Sequence, residues 1–577
     1  MRIERIKING FRGFDLLTVV TRGHALFVGP PGCGRSDIVD AVSRVLDPDS
    51  TRATVSDDLD FHNRDTSTPM EIELVLGQLG DLLEQRFLGH TEPWDQTQAD
   101  VVSDLADALG SVQRPRVLRI AYRATWLPHE ERVETIVYFS KGADPDHGHF
   151  QRVTRLDRLE FPYLRVETRG QPLSLAEQSN FRRLIEQSTA DDLAATLKSV
   201  EVAVDDVGRI LASSEQVREA VRAAVTPVHL LLGLPDHPED AIRFPPGGGS
   251  VSGLLRSLGA ELNLEASKLP VNRLGSTARA ILVTAQALAF VEASDGIVAV
   301  DDLGEDLDSS AGRHVAGLLA GRAAQVWAST RLPAVASAFD LADVVRLHAE
   351  AGFRAAHQLP SIPDRTDRLT MRHLGSQLIG VSDCVTVAVT EGQDDLVTLE
   401  VASQMMLRLR GERVLSAGRV GVVQPGALAG GGGKSETVRL AEVAKQLGFR
   451  TVIVLDGDTS TGDVEKAVGA ADAVVRLPEG HAIETLLIAG VDADDAYKVL
   501  QRLVTTFQLA VSFPVGTPSA SELRHLAIEV LKKRGQGLHA QYLAEIGPVP
   551  PGVIALVRAV YDAAVGTSGI TQLQCTW

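Results

Sequence analysis

Short apolar runs rich in β-branched residues recur along the chain, and each is followed by a polar or glycine-rich turn. In the second half they occupy residues 384–390, 419–423 and 451–455, with helix-like stretches between them. Runs of this length and composition are typical of buried parallel strands. The pattern therefore predicts a β-α-β-α-β order and a parallel sheet whose strands end at a common edge.

Carboxylates follow the first and the last of these runs. Glu391 and Asp395 come after the first run, and Asp456 and Asp458 come after the last. Because parallel strands end at one edge of a sheet, we expect these side chains to converge there. Carboxylates held together repel one another unless a cation neutralises them, and hard oxygen ligands suit Mg²⁺ or Mn²⁺. The pattern predicts a metal site of the kind that acts on phosphodiesters.

A glycine-rich loop at 29–36 stands between a strand-like run and a helical stretch in the first half. It has the spacing G-x-x-x-x-G-K-[ST], with an arginine in place of the lysine. Such a loop turns backbone N–H groups toward phosphates, and its hydroxyl can ligate Mg²⁺. This predicts binding of ATP, with a plain strand-to-helix turn as the alternative. The residues expected to hold the nucleotide are Gly29, Gly32, Gly34, Arg35 and Ser36.

A further apolar run at 296–300 ends in Asp301 and Asp302. It resembles the Walker B element of ATP-binding-cassette ATPases, in which the first acid holds Mg²⁺ through water and the second polarises the attacking water. The second acid there is usually glutamate, and Arg331 stands where the resemblance places the switch histidine. Together with Arg35, these departures predict slow hydrolysis or none; ordinary turnover is the alternative.

The loop, the aspartate pair and the distal acids together resemble the OLD (overcoming lysogenization defect) family of nucleases, which includes the nuclease subunit of Gabija-type phage defence. The resemblance implies an α/β fold, with an ABC- or RecF-like P-loop ATPase domain that carries a helical dimerisation insert and is followed by a C-terminal, Rossmann-like Toprim domain. A homodimer or tetramer follows from the same resemblance. The implied segments are 1–170 and 231–350 for the ATPase domain, 171–230 for the insert, 351–380 for a linker and 381–577 for the Toprim domain.

The resemblance also implies a two-metal site and one basic group that steadies the charge on the phosphate. Glu484 resembles a further acidic position that such nucleases use for the second metal; the alternative is an ordinary acid on a surface helix. Lys533 is the predicted basic residue, and Lys532 and Arg534 are the next candidates for this role. The implied metal ligands are Glu391, Asp395, Asp456, Asp458 and Glu484.

The composition of the chain limits how it can bind nucleic acid and indicates in which compartment it lies. The 577 residues carry a formal net charge of −18, which argues against attraction of nucleic acid to the whole surface. DNA contacts must use local basic patches, such as 114–123 or 408–413, for which a solvated charged face is the alternative. No apolar run approaches a membrane span, and three scattered cysteines are too few for a disulfide framework. We expect a cytoplasmic protein with no membrane partner.

These inferences predict a metal-dependent DNA endonuclease, either nicking or cutting both strands, that is regulated by nucleotide binding. DNA is the expected partner, and the resemblance leaves a helicase-like protein partner open. A topoisomerase is not favoured, because the chain has six tyrosines and no visible strand-passage module. A primase is not favoured, because three scattered cysteines cannot build a zinc domain. The rival reading is a non-catalytic nucleotide-sensing scaffold or a DNA-binding component of a larger complex.

Overall fold

The computed structural model divides the chain into two compact units. The helical stretches expected within the insert at 171–230 lie almost wholly outside the described residues, so the insert remains a prediction. Besides a few isolated positions between 173 and 237, the described residues are 1–50, 57–104, 107, 114–166, 260–264, 267–350, 352–359, 374–409, 411, 413–425, 434–514, 518–533, 537–566 and 569–573.

The described residues form 21 strands and 14 α-helices. Strands β1 to β10 are Arg2–Phe11, Phe14–Val20, Ala25–Val28, Met70–Gly77, Thr91–Asp95, Asp100–Val101, Arg116–Leu127, Arg132–Asp144, His149–Arg152 and Tyr163–Val166. Strands β11 to β21 are Glu261–Leu264, Ser267–Pro270, Ile297–Val300, Gln325–Ser329, Val344–Glu350, Phe353–His357, Thr386–Val389, Val420–Val423, Arg450–Leu455, Ala473–Arg476 and Gly569–Gln572. Helices α1 to α14 are Arg35–Leu46, Asp81–Arg86, Arg155–Leu159, Ser276–Ser294, Ser309–Arg322, Pro333–Ala336, Gln393–Arg408, Lys434–Gln446, Thr461–Ala470, Ile483–Leu486, Ala493–Thr506, Ala520–Leu531, Leu538–Ile546 and Pro551–Val565.

The first unit comprises Met1–Arg12, Thr18–His24 and Ser36–Ala338. In its antiparallel sheet β1 pairs with β4, β4 pairs with β7, and β7 pairs with both β5 and β8. A parallel ladder joins β10, β13 and β14, and all of β13 is buried, as expected for the apolar run at 296–300. The side chain of Gln325, which opens β14, bonds the backbone N–H and C=O of Ile3 at 2.8 and 3.0 Å. This buried amide therefore joins the ladder to the antiparallel sheet.

The second unit comprises Gly13–Leu17, Ala25–Arg35 and Phe339–Trp577. It contains a five-stranded parallel sheet in the order β18-β17-β19-β20-β21. The three predicted strand runs become β17, β18 and β19, because their buried β-branched side chains suit a sheet covered on both faces. The core residues include Leu399, Val452, Leu500, Leu526 and Val557.

A second ladder in this unit pairs β3 with β15 in parallel and β15 with β16 in antiparallel fashion. Arg346 on β15 is 1% exposed and donates hydrogen bonds to the carbonyls of Cys384, Gly448 and Leu447, at 2.6, 2.8 and 3.2 Å. Its guanidinium also stacks on Phe449, 3.6 Å from the ring centre. Burial lowers the pKa of Arg346 to about 10. The arginine thus fixes β15 to the residues that precede β17 and β19.

Among the described residues, no single helix is long and apolar enough to cross a membrane. Helices α13 and α14 reach that length and composition only as a pair, and they meet at a bend of 115°.

Candidate functional site

The acidic site consists of Glu391, Asp395, Asp456, Asp458 and Glu484. Strands β17 and β19 are parallel neighbours, with Val389 opposite Ile453. Glu391 follows the end of β17 by two residues, and Asp456 follows the end of β19 directly. In the sheet, β18 lies on one side of β17 and β19 lies on the other. The chain therefore passes from one side of β17 to the other between β18 and β19, and the carboxyl ends of β17 and β19 form a topological switch point. The structure therefore brings the two acidic clusters to one edge of the sheet.

Burial and mutual repulsion govern the protonation of the acidic site. Burial, followed by the charges of Glu391, Glu484 and Asp458, raises the pKa of Asp456 to about 7. Burial and the charge of Asp456 raise the pKa of Asp395 well above its usual range, against a lowering by the Gly392 N–H. Close like charges disfavour full ionisation, so a bound cation would favour the ionised carboxylates.

Asp395 has a structural role as well as a place in the acidic site. Its Oδ2 accepts a hydrogen bond of 3.0 Å from the amide of Gly392, the residue that precedes α7. Such a bond satisfies a backbone donor that a helix start leaves open. Asp395 therefore fixes the turn that carries Glu391, while its second carboxylate oxygen stays available for other partners.

Glu484 lies in the short helix α10 and is 7% exposed. Its charge raises the pKa of both Asp395 and Asp456, which shows that it belongs to the same electrostatic environment. The structure therefore does not place Glu484 on an exposed surface helix, which was the alternative expected from the sequence.

The loop that carries Asp456 and Asp458 is closely packed. The amide of Gly457 donates to the carbonyl of His481 at 2.8 Å, and a β-carbon at this position would lie 1.8 Å from the carbonyl oxygen of Pro478. Only glycine fits such a close approach. Arg476, at the end of β20, donates to the carbonyls of Gly457 and Thr459 at 3.1 and 3.0 Å. Sequence reasoning missed Arg476, although a basic residue at the end of a strand-like run was a usable signal.

The chemistry of the acidic site suits a hard divalent cation, since all its side-chain donors are carboxylate oxygens that repel one another. The described residues contain no group of three or more His, Cys, Asp or Glu side chains already arranged as a metal cage. Metal ligation here would therefore need side-chain rotation of carboxylates whose backbone positions already converge.

A lysine at the end of α12 acts on the acidic site. Lys532, at the end of α12, lowers the pKa of Asp456. Lys533 is exposed, and Arg534 lies outside the described residues. The structure thus gives Lys532 an electrostatic link to the acidic site, whereas the assignment of Lys533 stays a prediction.

The glycine-rich loop has the backbone that its sequence predicts. Gly29, Gly32 and Gly34 have φ values of 144, 81 and 95°, which side chains other than glycine rarely adopt. A β-carbon on Gly29 would lie 2.4 Å from the carbonyl oxygen of Leu347, whereas one on Gly32 would meet nothing within 4 Å. The guanidinium of Arg35 donates to the carbonyl of Gly29 at 2.9 Å. Arg35 therefore donates a hydrogen bond to the backbone of its own loop. To contact the phosphates of a nucleotide, its guanidinium would have to give up this hydrogen bond.

The aspartate pair after β13 is held by two neighbours. Ser329 donates to Asp301 at 2.5 Å and accepts a hydrogen bond from the Asp302 amide at 2.7 Å. Arg331 donates from Nε and Nη2 to the two carboxylate oxygens of Asp302, at 3.2 and 3.0 Å, and also bonds Glu305. The residue at the switch position therefore neutralises the acid that would polarise water.

The predicted basic patch at 114–123 is neutralised in the structure. Each of its arginines forms at least one ion pair with a carboxylate, and Arg119 and Arg123 have side chains only 19% and 12% exposed. In the second patch Arg413 pairs with Asp562, Arg408 is exposed and residue 410 lies outside the described residues. The pairs of the first patch are Arg114 with Asp95 and Asp107, Arg116 with Asp104, Arg119 with Glu73 and Glu92, and Arg123 with Glu71 and Asp146.

Comparison with known proteins gives a family match at the start of the chain, a short match to a curated protein and weak similarities to solved structures. Residues 1–84 match a family described as a protein of unknown function (DUF2813). Over 85 residues the chain is 40% identical to the chromosome partition protein Smc of Thauera aminoaromatica, which covers 13% of this chain and 7% of that protein. The chain therefore spans only about 7% of the length of the curated protein that it matches.

Two solved structures are weakly similar to this chain. One is the SmcHead bound to the C-winged helix domain of ScpA, with 14% identity, a TM-score of 0.37 and coverage of 64% of this chain and 100% of that one. The other is the SMC head domain from Thermotoga maritima, with 12% identity, a TM-score of 0.29 and coverage of 63% and 100%.

Proposed function

We propose that this protein is a metal-dependent DNA endonuclease whose acidic site is regulated by nucleotide binding at the glycine-rich loop. The observation that supports it best is the convergence of the carboxylates that follow β17 and β19 at a topological switch point. Their raised pKa values, at Asp395 and Asp456, indicate negative charge concentrated beyond what the protein alone stabilises. Under this proposal residues 381–577 are the Toprim domain, and 1–170 with 231–350 form the ATPase domain.

In this proposal Glu391, Asp456 and Asp458 would hold Mg²⁺ or Mn²⁺, with Glu484 serving a second ion and Asp395 completing the set. Bound divalent ions supply a nucleophilic water at neutral pH and neutralise the developing charge on a phosphate. The protein's own contribution is to hold these carboxylates on a fixed edge. Arg476 and Gly457 fix the loop between the aspartates, and Lys532 or Lys533 would stabilise the phosphate.

The nucleotide site would act mainly by binding ATP. Gly29, Gly32 and Gly34 supply the loop backbone, and Asp301 with Ser36 would serve a magnesium ion. The ion pair between Arg331 and Asp302 supports slow hydrolysis, because it occupies the carboxylate expected to polarise water. A homodimer or tetramer, and a helicase-like protein partner, remain parts of the proposal that rest on the family resemblance.

Incubation of supercoiled plasmid with the full chain tests the nuclease activity. The assay compares Mg²⁺ and Mn²⁺, with and without ATP, for the wild type and for Glu391→Ala and Asp456→Ala. Glu465→Ala is the matched control, since Glu465 is an exposed acid on α9. We expect metal-dependent nicking or linearisation that both site variants lose and the control keeps. Absence of cleavage under all conditions would refute the nuclease.

The second candidate is a nucleotide-sensing scaffold without catalysis. The ion pair between Arg331 and Asp302 favours it, since the same contact that slows hydrolysis would suit a site that only binds. Binding of ATP and DNA by a chain that neither cleaves DNA nor binds Mn²⁺ would identify the scaffold.

A further inference from the structure

A fully buried histidine lies beside the acidic site. His539, in the first turn of α13, is 0% exposed, and the charges of Asp394 and Glu484 both act on it. Its Nδ1 lies 2.7 Å from the hydroxyl of Thr398 on α7, the helix that begins at the acidic site. His539 therefore connects α13 to the helix that carries Asp395.

The contacts of Nδ1 determine which ring nitrogen carries the proton. The Thr398 hydroxyl donates its single hydrogen to the carbonyl of Asp394 at 2.8 Å, so it can only accept from His539. The neighbour of Nδ1 is therefore an acceptor, which assigns the hydrogen to Nδ1 and leaves Nε2 of the neutral ring as an acceptor.

Nε2 is buried and has no hydrogen-bond partner among the described residues. A buried acceptor left unsatisfied is costly, and one that persists in a folded protein requires an explanation. The charges that act on the ring are those of Asp394 and Glu484, and ionised carboxylates offer acceptors and not donors. The complementary donor would be a water molecule, and Mg²⁺ in proteins usually keeps several of its waters.

We propose that His539 is a positioning residue of the acidic site, holding the first turn of α7 through Nδ1 and accepting a hydrogen bond at Nε2 from a water on the divalent ion. The inference rests on the proposed metal site. Outer partners of this kind orient what the metal holds, and their loss commonly weakens metal binding about 10- to 100-fold. His539 does so without adding negative charge to a site already rich in carboxylates.

Two substitutions separate the ring nitrogens. His539→Asn keeps an N–H near the position of Nδ1 and loses the acceptor at Nε2, whereas His539→Gln places an amide oxygen near Nε2. Calorimetric titration of Mn²⁺ into the full chain measures affinity independently of cleavage, and thermal unfolding reports the fold. His525→Gln is the control, since His525 is exposed on α12.

We expect His539→Asn to unfold near the wild-type temperature and to bind Mn²⁺ about tenfold more weakly, with His539→Gln closer to wild type. Wild-type affinity in both variants would overturn the role of His539. Loss in His539→Gln with wild-type affinity in His539→Asn would assign the effect to Nδ1, and equal loss in both would assign it to the ring as a whole; either result would overturn the role of Nε2. A wild-type chain that binds neither Mn²⁺ nor Mg²⁺ would instead reject the proposed metal site itself.

Discussion

Arg331 and Asp302 form a bidentate ion pair, with the guanidinium donating to both carboxylate oxygens at 3.2 and 3.0 Å. A carboxylate held in this way is a poor partner for an attacking water, because charge-assisted hydrogen bonds to arginine compete for both of its oxygens. The contact separates two properties that an ATPase site usually combines. Under the proposed function, nucleotide binding would depend on the glycine-rich loop, whereas hydrolysis would require Asp302 to be released.

Replacement of Arg331 by histidine should therefore raise ATP hydrolysis. We expect phosphate release to increase at least about tenfold, a modest part of what general-base catalysis contributes, with little change in ATP affinity. Arg322→Ala is the control, since it removes an exposed ion pair with Glu292 elsewhere in the same unit. Unchanged hydrolysis by an Arg331→His protein that binds ATP normally would show that this ion pair does not limit turnover.

The raised pKa of Asp456, about 7, predicts how stability changes with pH. The folded protein holds this proton more tightly than the unfolded chain, so the stability contributed by Asp456 is complete in acid and is lost as the pH rises through 7. Urea unfolding without divalent ions should therefore show stability falling between about pH 4 and about pH 7, with no further loss from this group above that range. Asp456→Asn should flatten this dependence, and added Mn²⁺ should reduce it. An identical slope in Asp456→Asn would exclude Asp456 as its source.

Lys532 and Lys533 are adjacent residues with different relations to the acidic site. Because Lys532 lowers the pKa of Asp456, Lys532→Ala should move the pH profile of cleavage upward and slow cleavage. About a tenfold loss is expected if this lysine steadies the phosphate. Lys533→Ala serves as its matched variant. A larger loss of cleavage rate in Lys533→Ala than in Lys532→Ala would support Lys533 as the basic residue, as predicted from the sequence.

Gly457→Ala should destabilise the loop between the two aspartates. The added β-carbon would lie 1.8 Å from the Pro478 carbonyl oxygen, so the backbone must shift. Overpacking against backbone typically costs about 1–3 kcal/mol, and Mn²⁺ affinity should fall with it. Denaturant unfolding and calorimetry measure the two effects. Gly462→Ala, where the new β-carbon meets nothing within 4 Å, is the control.

The sequence predicted three of the five strands of the parallel sheet and the meeting of its acidic clusters, because both follow from local patterns. Buried β-branched runs become parallel strands, and parallel strands share an edge. The order of strands is not a local property. For that reason the sequence did not reveal that Arg476 ends beside the loop of Gly457, since this requires β20 to be the neighbour of β19.

The pairing of the arginines at 114–123 with carboxylates could not be predicted, for a related reason. The carboxylates that pair with Arg119 and Arg123 come from other segments, including Glu71 and Glu73 on β4. Which residues face each other across strands depends on register, and register cannot be read from one strand alone. The lysine assignment likewise depended on where α12 ends, and helix ends are poorly defined by propensity.

Arg346 gives the acidic edge a mechanical property. It binds the residues before β17 and β19, two strands of four and six residues that carry the acids at their other ends. Because Arg346 holds the starts of β17 and β19 together, their carboxyl ends can move apart only if the strands bend. The hydrogen bonds between the strands resist such bending. The spacing of the two acidic clusters is therefore set by the backbone, and adaptation to a ligand falls to side-chain torsions.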